Sequence, residues 1–396
     1  MRKEAIWLGA LGLLGLALAP ACTDEGEDDV GTGGATASVT TGSGGATTTS
    51  SSSGSTTTGG DGGGGGGEPT CLPRGATSAY FTIDDTSLCA VEKWSAASLT
   101  LEPYGITPTW GSHGGPLTFE GSETQATFSR WTLGMAGALT AAEESVDVTV
   151  PAGAFWGPQA VDVSSSLTVA SWTGMSFSTE GGFVVKTGAN AHQEDAIGVF
   201  GLAATQGRLL FTGLSPAGVA AAGDAGLYAA LVTTSALTDD GTVATWGLAT
   251  GPVVTDTEGN VFAVNTDYVA ANQEIRAFAA ADIAPGSPAT EGVTLATLPD
   301  FGDAMAVLGP SDDAPGLVLL QPNDGATFAH LDVIGVPFTV DAGAIAASGT
   351  PSTVLTLAAA DTNLTLMTDD DGRLWVGAAN AEGGSGAVFF VIDRAP

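Results

Sequence analysis

The sequence predicts an all-β fold, and three observations lead there. First, Ala, Val, Thr and Gly dominate a chain that is 43% hydrophobic but only 13% charged, a mix that favours short strands and tight turns over long helices. Second, short β-branched or aromatic runs alternate with Gly beside Asp, Glu or Asn from residue 75 onward, the pattern of strands joined by hairpin turns. Third, Leu167–Lys186, Thr242–Val264 and Thr353–Gly377 resemble one another. Each is an apolar run, a second strand, an acidic-Gly turn and a third strand. Their turn glycines, Gly181, Gly259 and Gly372, lie 78 and 113 residues apart, which fits two and three units of about 38 residues. A multi-stranded unit of about 40 residues is the period of a propeller blade, so the expected architecture is a β-propeller of about seven blades. Tandem β-sandwich domains are the alternative, because Tyr80–Val163 fits the repeat poorly. Within that stretch, Trp131–Ala142 has the pattern of a short helix.

Residues 1–21 divide as a signal peptide does. Arg2 and Lys3 are positive, Ala5–Leu18 is an uncharged apolar run too short for a comfortable membrane span, and Ala19, Pro20 and Ala21 are the small residues of a cleavage site. With Cys22 following, this segment resembles that of bacterial lipoproteins, whose lipobox ends in small residues and the Cys. Ala21 matches that pattern, while Ala19 stands where Leu is usual and Pro20 is less usual. The resemblance implies lipid on Cys22 and anchorage to a bacterial membrane, each acyl chain contributing about 0.8 kcal/mol per buried methylene. Cleavage after Ala21 by an ordinary signal peptidase is the alternative. Thr23 is not the usual inner-membrane retention residue of that family, so the outer membrane is the expected destination, with the rest of the chain outside the cytoplasm.

Residues 22–70 read as the lipidated Cys and a disordered tether. Thr23–Asp29 is acidic, and Gly31–Gly67 is almost wholly Gly, Ser, Thr and Ala. Such a segment buries too little apolar surface to offset the entropy of ordering. As a flexible coil it spans roughly 40 Å on average. Residues 71–396 are the expected folded domain. Cys71 and Cys89 stand at its start, and two cysteines in an exported chain point to a disulfide.

The charge balance is 10 basic to 43 acidic residues, a net of −33. Nucleic-acid binding needs a basic footprint that is missing here, and attraction to anionic headgroups fails for the same reason. Asp369, Asp370 and Asp371 are weak Ca²⁺ candidates, since hard cations take oxygen ligands, but one turn supplies too few of them. Otherwise no metal or cofactor is expected. His113, His192 and His330 lie far apart and outside any HExxH pattern. Gly111–Pro116 (GSHGGP) reads as a Gly-rich turn, because no GxSxG elbow accompanies it.

The turn Thr368–Trp375 (TDDDGRLW) resembles the Asp-box of sialidase-like β-propellers, with Thr368, Asp370, Gly372 and Trp375 at the matching positions and Leu374 in place of the usual Thr. The resemblance spans eight residues and implies a fold element at the outer edge of a blade, remote from any active centre. The segment Thr255–Phe262 lacks the matching Asp.

The expected function is therefore a membrane-anchored, non-catalytic binding module whose partner is an extracellular protein or polysaccharide. The alternative is an extracytoplasmic, glycosidase-like hydrolase using acidic residues. The discriminating feature is convergence of two carboxylates, or of an acid with Arg130, Arg208 or Arg276, in one pocket with shifted pKa values.

Overall fold

The computed structural model describes residues 70–396 except 74, 102–106, 175–180, 196, 206, 215–224, 247–248, 268–271, 300, 325–328, 360–361 and 380–385. Residues 1–69 lie outside this range, and with them the expected signal peptide, Cys22 and the tether. Among the described residues no helix is long and apolar enough to cross a membrane.

The described residues form a β-propeller of six blades rather than the expected seven. The chain opens with β1 (Phe81–Ile83) and β2 (Leu88–Ala96), both of which complete blades formed at the other end of the sequence. Blade 1 is then β3 (Thr109–Gly111), β4 (Gly115–Gly121), β5 (Gln125–Leu133) and β6 (Leu139–Asp147). Blade 2 comprises β7 (Phe155–Ser164), β8 (Leu167–Thr173), β9 (Gly181–Thr187) and β10 (Asn190–Asp195). Blade 3 follows as β11 (Ile197–Thr205), β12 (Arg208–Leu214), β13 (Ala225–Val232) and β14 (Leu237–Trp246). In blade 4 the strands are β15 (Ala249–Thr255), β16 (Val261–Asp267), β17 (Asn272–Phe278) and β18 (Val293–Leu298). Blade 5 orders β19 (Phe301–Leu308), β20 (Gly316–Asn323), β21 (Val333–Asp341) and β23 (Ser352–Leu357), with β22 (Ala344–Ala347) paired to β21 and β1 added outside β23. Blade 6 is β24 (Leu364–Thr368), β25 (Leu374–Ala379) and β26 (Ala387–Arg394), closed by β2 as its fourth strand.

Innermost strands β3, β7, β11, β15, β19 and β24 contact one another in sequence, and β24 returns to β3, which closes the ring. Inner strands begin at residues 109, 155, 197, 249, 301 and 364, a spacing of 42 to 63 residues instead of a constant 38. Gly259 and Gly372 both sit in the turn between a first and a second strand, so their separation covers two long blades. Gly181 begins a third strand and belongs to a different register of the repeat. Tyr80–Val163 is not a separate sandwich. It supplies the two closing strands, all of blade 1 and most of β7. Nor is Trp131–Ala142 an α-helix. It is the end of β5, a 3₁₀ turn at Met135–Gly137 and the start of β6.

The inner strands run parallel around the axis. Thr109 donates its hydroxyl to the Ala160 carbonyl, Thr255 to Ala204 and Thr368 to Val307, at 2.5, 3.2 and 2.7 Å. Each bond links corresponding depths of neighbouring inner strands and satisfies a backbone acceptor that has no ladder partner there. The propeller therefore has an entry face, where inner strands begin, and a turn face, where they end. At the turn face, a Cβ on Gly372 of blade 6 would meet Thr257 of blade 4 at 3.6 Å, so these two turns approach each other across blade 5. Apolar packing between successive blades makes the core. Phe183 meets Phe211 between blades 2 and 3, Phe262 meets Phe338 between blades 4 and 5, and Trp110 meets Trp375 between blades 1 and 6. Cys71 and Cys89 form a disulfide that fixes the start of the domain to β2.

Candidate functional site

The two faces differ in chemistry. Most of the basic side chains lie on the turn-face side, and several pair with acids across blades. Arg130 on β5 reaches blade 2, where its Nη1 and Nη2 donate to Asp162 at 2.6 and 3.0 Å and Nη2 also donates to Thr168 at 2.7 Å. Thr168 in turn donates to Asp162 at 2.7 Å, as do the backbone N–H and hydroxyl of Ser112 at 2.9 Å. Lys186 pairs with Glu144 at 2.6 Å. Burial would raise the Asp162 pKa, but the bonds from Arg130 and Thr168 and the Arg130 charge outweigh it, so this carboxyl is held below the ordinary range. Glu144 is lowered as well, first by its bond from Lys186.

Other cations are engaged in the same way. Arg208 bonds Asp240 and the Ile283 carbonyl in a shallow recess between blades 3 and 4. Arg276 donates to Glu274 at 2.8 and 3.0 Å and to the Glu291 carbonyl at 2.8 Å. Arg373 bonds Asp369 at 2.9 Å, with Glu92 and Asp371 both at 3.4 Å. Arg394 donates to the Gly309 and Pro315 carbonyls, and Lys93 lies over the rings of Tyr80 and Phe390. Each of these cations thus serves a contact within or between blades.

The acidic turn Asp369–Asp371 is equally committed. Asp369 is buried, and its Oδ1 accepts the N–H groups of Asp371 and Arg373 at 3.0 and 2.8 Å. Its Oδ2 accepts from Arg373 Nε and Trp375 Nε1, both at 2.9 Å. Asp370, the residue that matches the Asp-box, points to solvent, and the turn joins the innermost strand to the second rather than sitting at a blade's outer edge. Among the described residues no three His, Cys, Asp or Glu side chains are grouped to hold a metal. Gly111–Pro116 is the first turn of blade 1. His113 Nε2 donates to the Trp131 carbonyl at 3.2 Å, and Gly114 takes φ +78°. His192 lies 3.7 Å from Glu194 on β10, and His330 is buried beside β20.

The entry face carries features that sequence reasoning missed. Inner strands of four successive blades lose regular register in their first halves: β7 between Trp156 and Ala160, β11 between Ile197 and Gly201, β15 between Thr250 and Val253, and β19 between Gly302 and Ala304. Bulges gather at barrel rims and beside active sites, where they re-aim side chains. Beneath them, the second strands turn from apolar to polar. Ser171 and Thr173 on β8, Thr212 on β12, Thr266 on β16, and Gln321 and Asn323 on β20 are all buried. Gln321 is fully partnered, accepting the Leu364 N–H at 3.0 Å and donating to the Thr362 carbonyl at 3.4 Å. Gln273, the second residue of β17, is fully buried opposite Thr266, yet among the described residues neither its Oε1 nor its Nε2 has a hydrogen-bond partner. Phe155 stands 37% exposed at the start of β7. The available signal was faint, a glutamine inside an alternating run (NQEIRAF).

No family model and no curated protein matches this sequence. Among solved structures, the PQQ-bound aldose sugar dehydrogenase of Streptomyces coelicolor superposes with a TM-score of 0.48 at 12% identity, covering 78% of this chain and 98% of that one. The periplasmic gluconolactonase PpgL of Pseudomonas aeruginosa gives 0.42 at 13%, covering 75% and 87%. The gluconolactonase XC5397 of Xanthomonas campestris gives 0.41 at 12%, covering 82% and 95%. The propeller assignment rests on the strand pairing, and these chains' activities do not transfer at such similarity.

Proposed function

We propose that this chain is a lipoprotein held to a bacterial membrane, the outer membrane in our reading, through Cys22, and that its propeller is a non-catalytic binding module presented on a roughly 40 Å tether. The observation that carries the non-catalytic reading is the fate of the cations and their acids. Arg130 does converge with Asp162 and Glu144, but in a cluster with Lys186 that ties blade 1 to blade 2, while Arg208 pairs with Asp240 and Arg276 with Glu274 on its own strand. A general acid needs a carboxyl poised to give up a proton near neutral pH. Asp162 and Glu144 are instead held ionised. Asp256, whose pKa burial raises, spends both oxygens on its own turn, accepting from Glu258, Asn260 N–H and Asn260 Nδ2. The entry face, with its bulged rim and polar layer, is the surface left for a ligand.

Two measurements test this reading. Cys22→Ser is expected to move the protein from the membrane to the soluble fraction, and continued membrane retention would refute the anchor. Titration of the C22S chain with cell-envelope polysaccharide and secreted-protein fractions is expected to give saturable heat with no release of reducing ends. Sustained release would favour the glycosidase-like alternative.

A further inference from the structure

Two buried glutamines lie at the same level of the propeller, and their hydrogen bonding differs. Gln321 uses both ends of its amide to bind the approach to blade 6, which explains its burial. Gln273 is just as buried, between blades 4 and 5, and among the described residues both ends are unpartnered. Burying an amide without partners costs free energy, and an apolar side chain of similar size would avoid that cost. Such a group calls for an explanation, and a hydroxyl brought by water or by a ligand would supply one. Its position points to a ligand. A Cβ on Gly302 would come within 3.0 Å of Gln273 Oε1, so the amide abuts the bulge of the innermost strand of blade 5, just below the rim.

We propose that Gln273 is the recognition group of a binding site at the entry face for a neutral, hydroxyl-rich ligand, an oligosaccharide by chemical class. This deepens the binding-module reading and rests on it. An amide offers one acceptor and two donors, the complement of adjacent hydroxyls that both give and accept. Charge points the same way. Arg130, Lys186, Arg208, Arg373 and Arg394 lie toward the turn face and Lys93 and Arg276 mid-strand, so among the described residues no cation stands at the entry face. The chain as a whole carries −33, and both facts disfavour an anion.

The test uses the C22S full-length chain and its Gln273→Met variant. Probes are neutral hexasaccharides of glucose, mannose and N-acetylglucosamine, with oligogalacturonate as the anionic control. The wild-type surface is expected to bind at least one neutral probe and not the anionic one. Gln273→Met is expected to weaken that binding by about tenfold or more while raising Tm by roughly 2 °C, because a buried unsatisfied amide has been removed. A lower Tm would mean that Gln273 is structural and would overturn the proposal whatever the probes show. Undiminished binding by the variant would remove Gln273 and leave the binding module standing. Preference for oligogalacturonate, or no binding of any neutral probe, would overturn the ligand class.

Discussion

Asp256 and Asp369 close the same turn in blades 4 and 6. In each, Oδ1 accepts the N–H two residues on at 3.0 Å and the N–H four residues on at 2.8 Å. Gly259 and Gly372 then take φ of +84° and +79°, the left-handed conformation such a turn requires. In both turns the preceding threonine, Thr255 or Thr368, bonds the inner strand of the blade before. The second oxygen sets them apart. Asp256 Oδ2 meets the neutral Asn260 amide, whereas Asp369 Oδ2 meets Arg373 and Trp375 Nε1.

That difference predicts unequal costs. Asp369→Ala strips partners from a buried indole N–H and a half-buried guanidinium, and should cost about 3–5 kcal/mol. Asp256→Ala loses hydrogen bonds from neutral donors only and should cost about 1–3 kcal/mol. Urea unfolding of both variants checks the order, and an equal or reversed cost would show that the Arg373 contact contributes little.

Gly372→Ala should also destabilise, by about 1–2 kcal/mol, because an L side chain is strained at φ +79°. Space is not the obstacle, since the nearest atom to the new methyl, Thr257 Cγ2, lies at 3.6 Å. Gly372→Asn should recover part of the loss, as Asn tolerates this conformation better. Denaturant midpoints of the two variants check this, and an Ala variant as stable as wild type would contradict it.

These turns also show how far the sequence could be read. Thr368, Gly372 and Trp375 were legible as a turn motif, but the carboxylate in use is Asp369 and not Asp370. The turn is closed from its first acidic position, which reaches both N–H groups. Read as Thr-Asp-x-x-Gly-x-apolar-aromatic, Thr255–Phe262 becomes a full match. The blade count failed because Gly181 was equated with glycines in a different turn, and because blades of unequal length defeat a fixed period. Closure by β1 and β2 left no local trace, since Phe81–Ile83 pairs with Leu355–Leu357 across nearly the whole domain. Unpaired Gln273 was beyond reach, because pattern reveals which residues are buried and not which amides find partners.

Asp162 predicts a pH dependence. A carboxyl whose folded pKa is depressed binds fewer protons folded than unfolded. Its contribution to stability is therefore complete above the unfolded value of about 4 and is lost as pH falls from there through the folded value. Asp162→Asn should destabilise the protein at pH 7 and flatten the decline in urea midpoint below pH 4. A decline as steep as in wild type would assign acid sensitivity to other carboxyls.

The disulfide predicts where the propeller loosens first. Residues Cys71 and Cys89 bracket β1, and Leu72 N–H bonds the Ala90 carbonyl at 2.7 Å, so the chain is tied to β2 before β1 has formed any pairing. Force applied at Cys71 would then enter the fold at β2, an eight-pair partner of β26, and bypass the three-residue pairing of β1 with β23. Reduction, or Cys89→Ser, frees a closed loop with a sequence separation of 18 and should cost about 3 kcal/mol in the chain-entropy account. The loss should fall on β1, because β2 keeps its ladder with β26 while β1 keeps only three pairs. Hydrogen exchange after reduction should therefore quicken at Phe81–Ile83 and leave most of Glu92–Ala96 protected. Equal acceleration in both strands would mean that the bridge holds the ring closed as a whole, and that the β2–β26 ladder alone does not suffice.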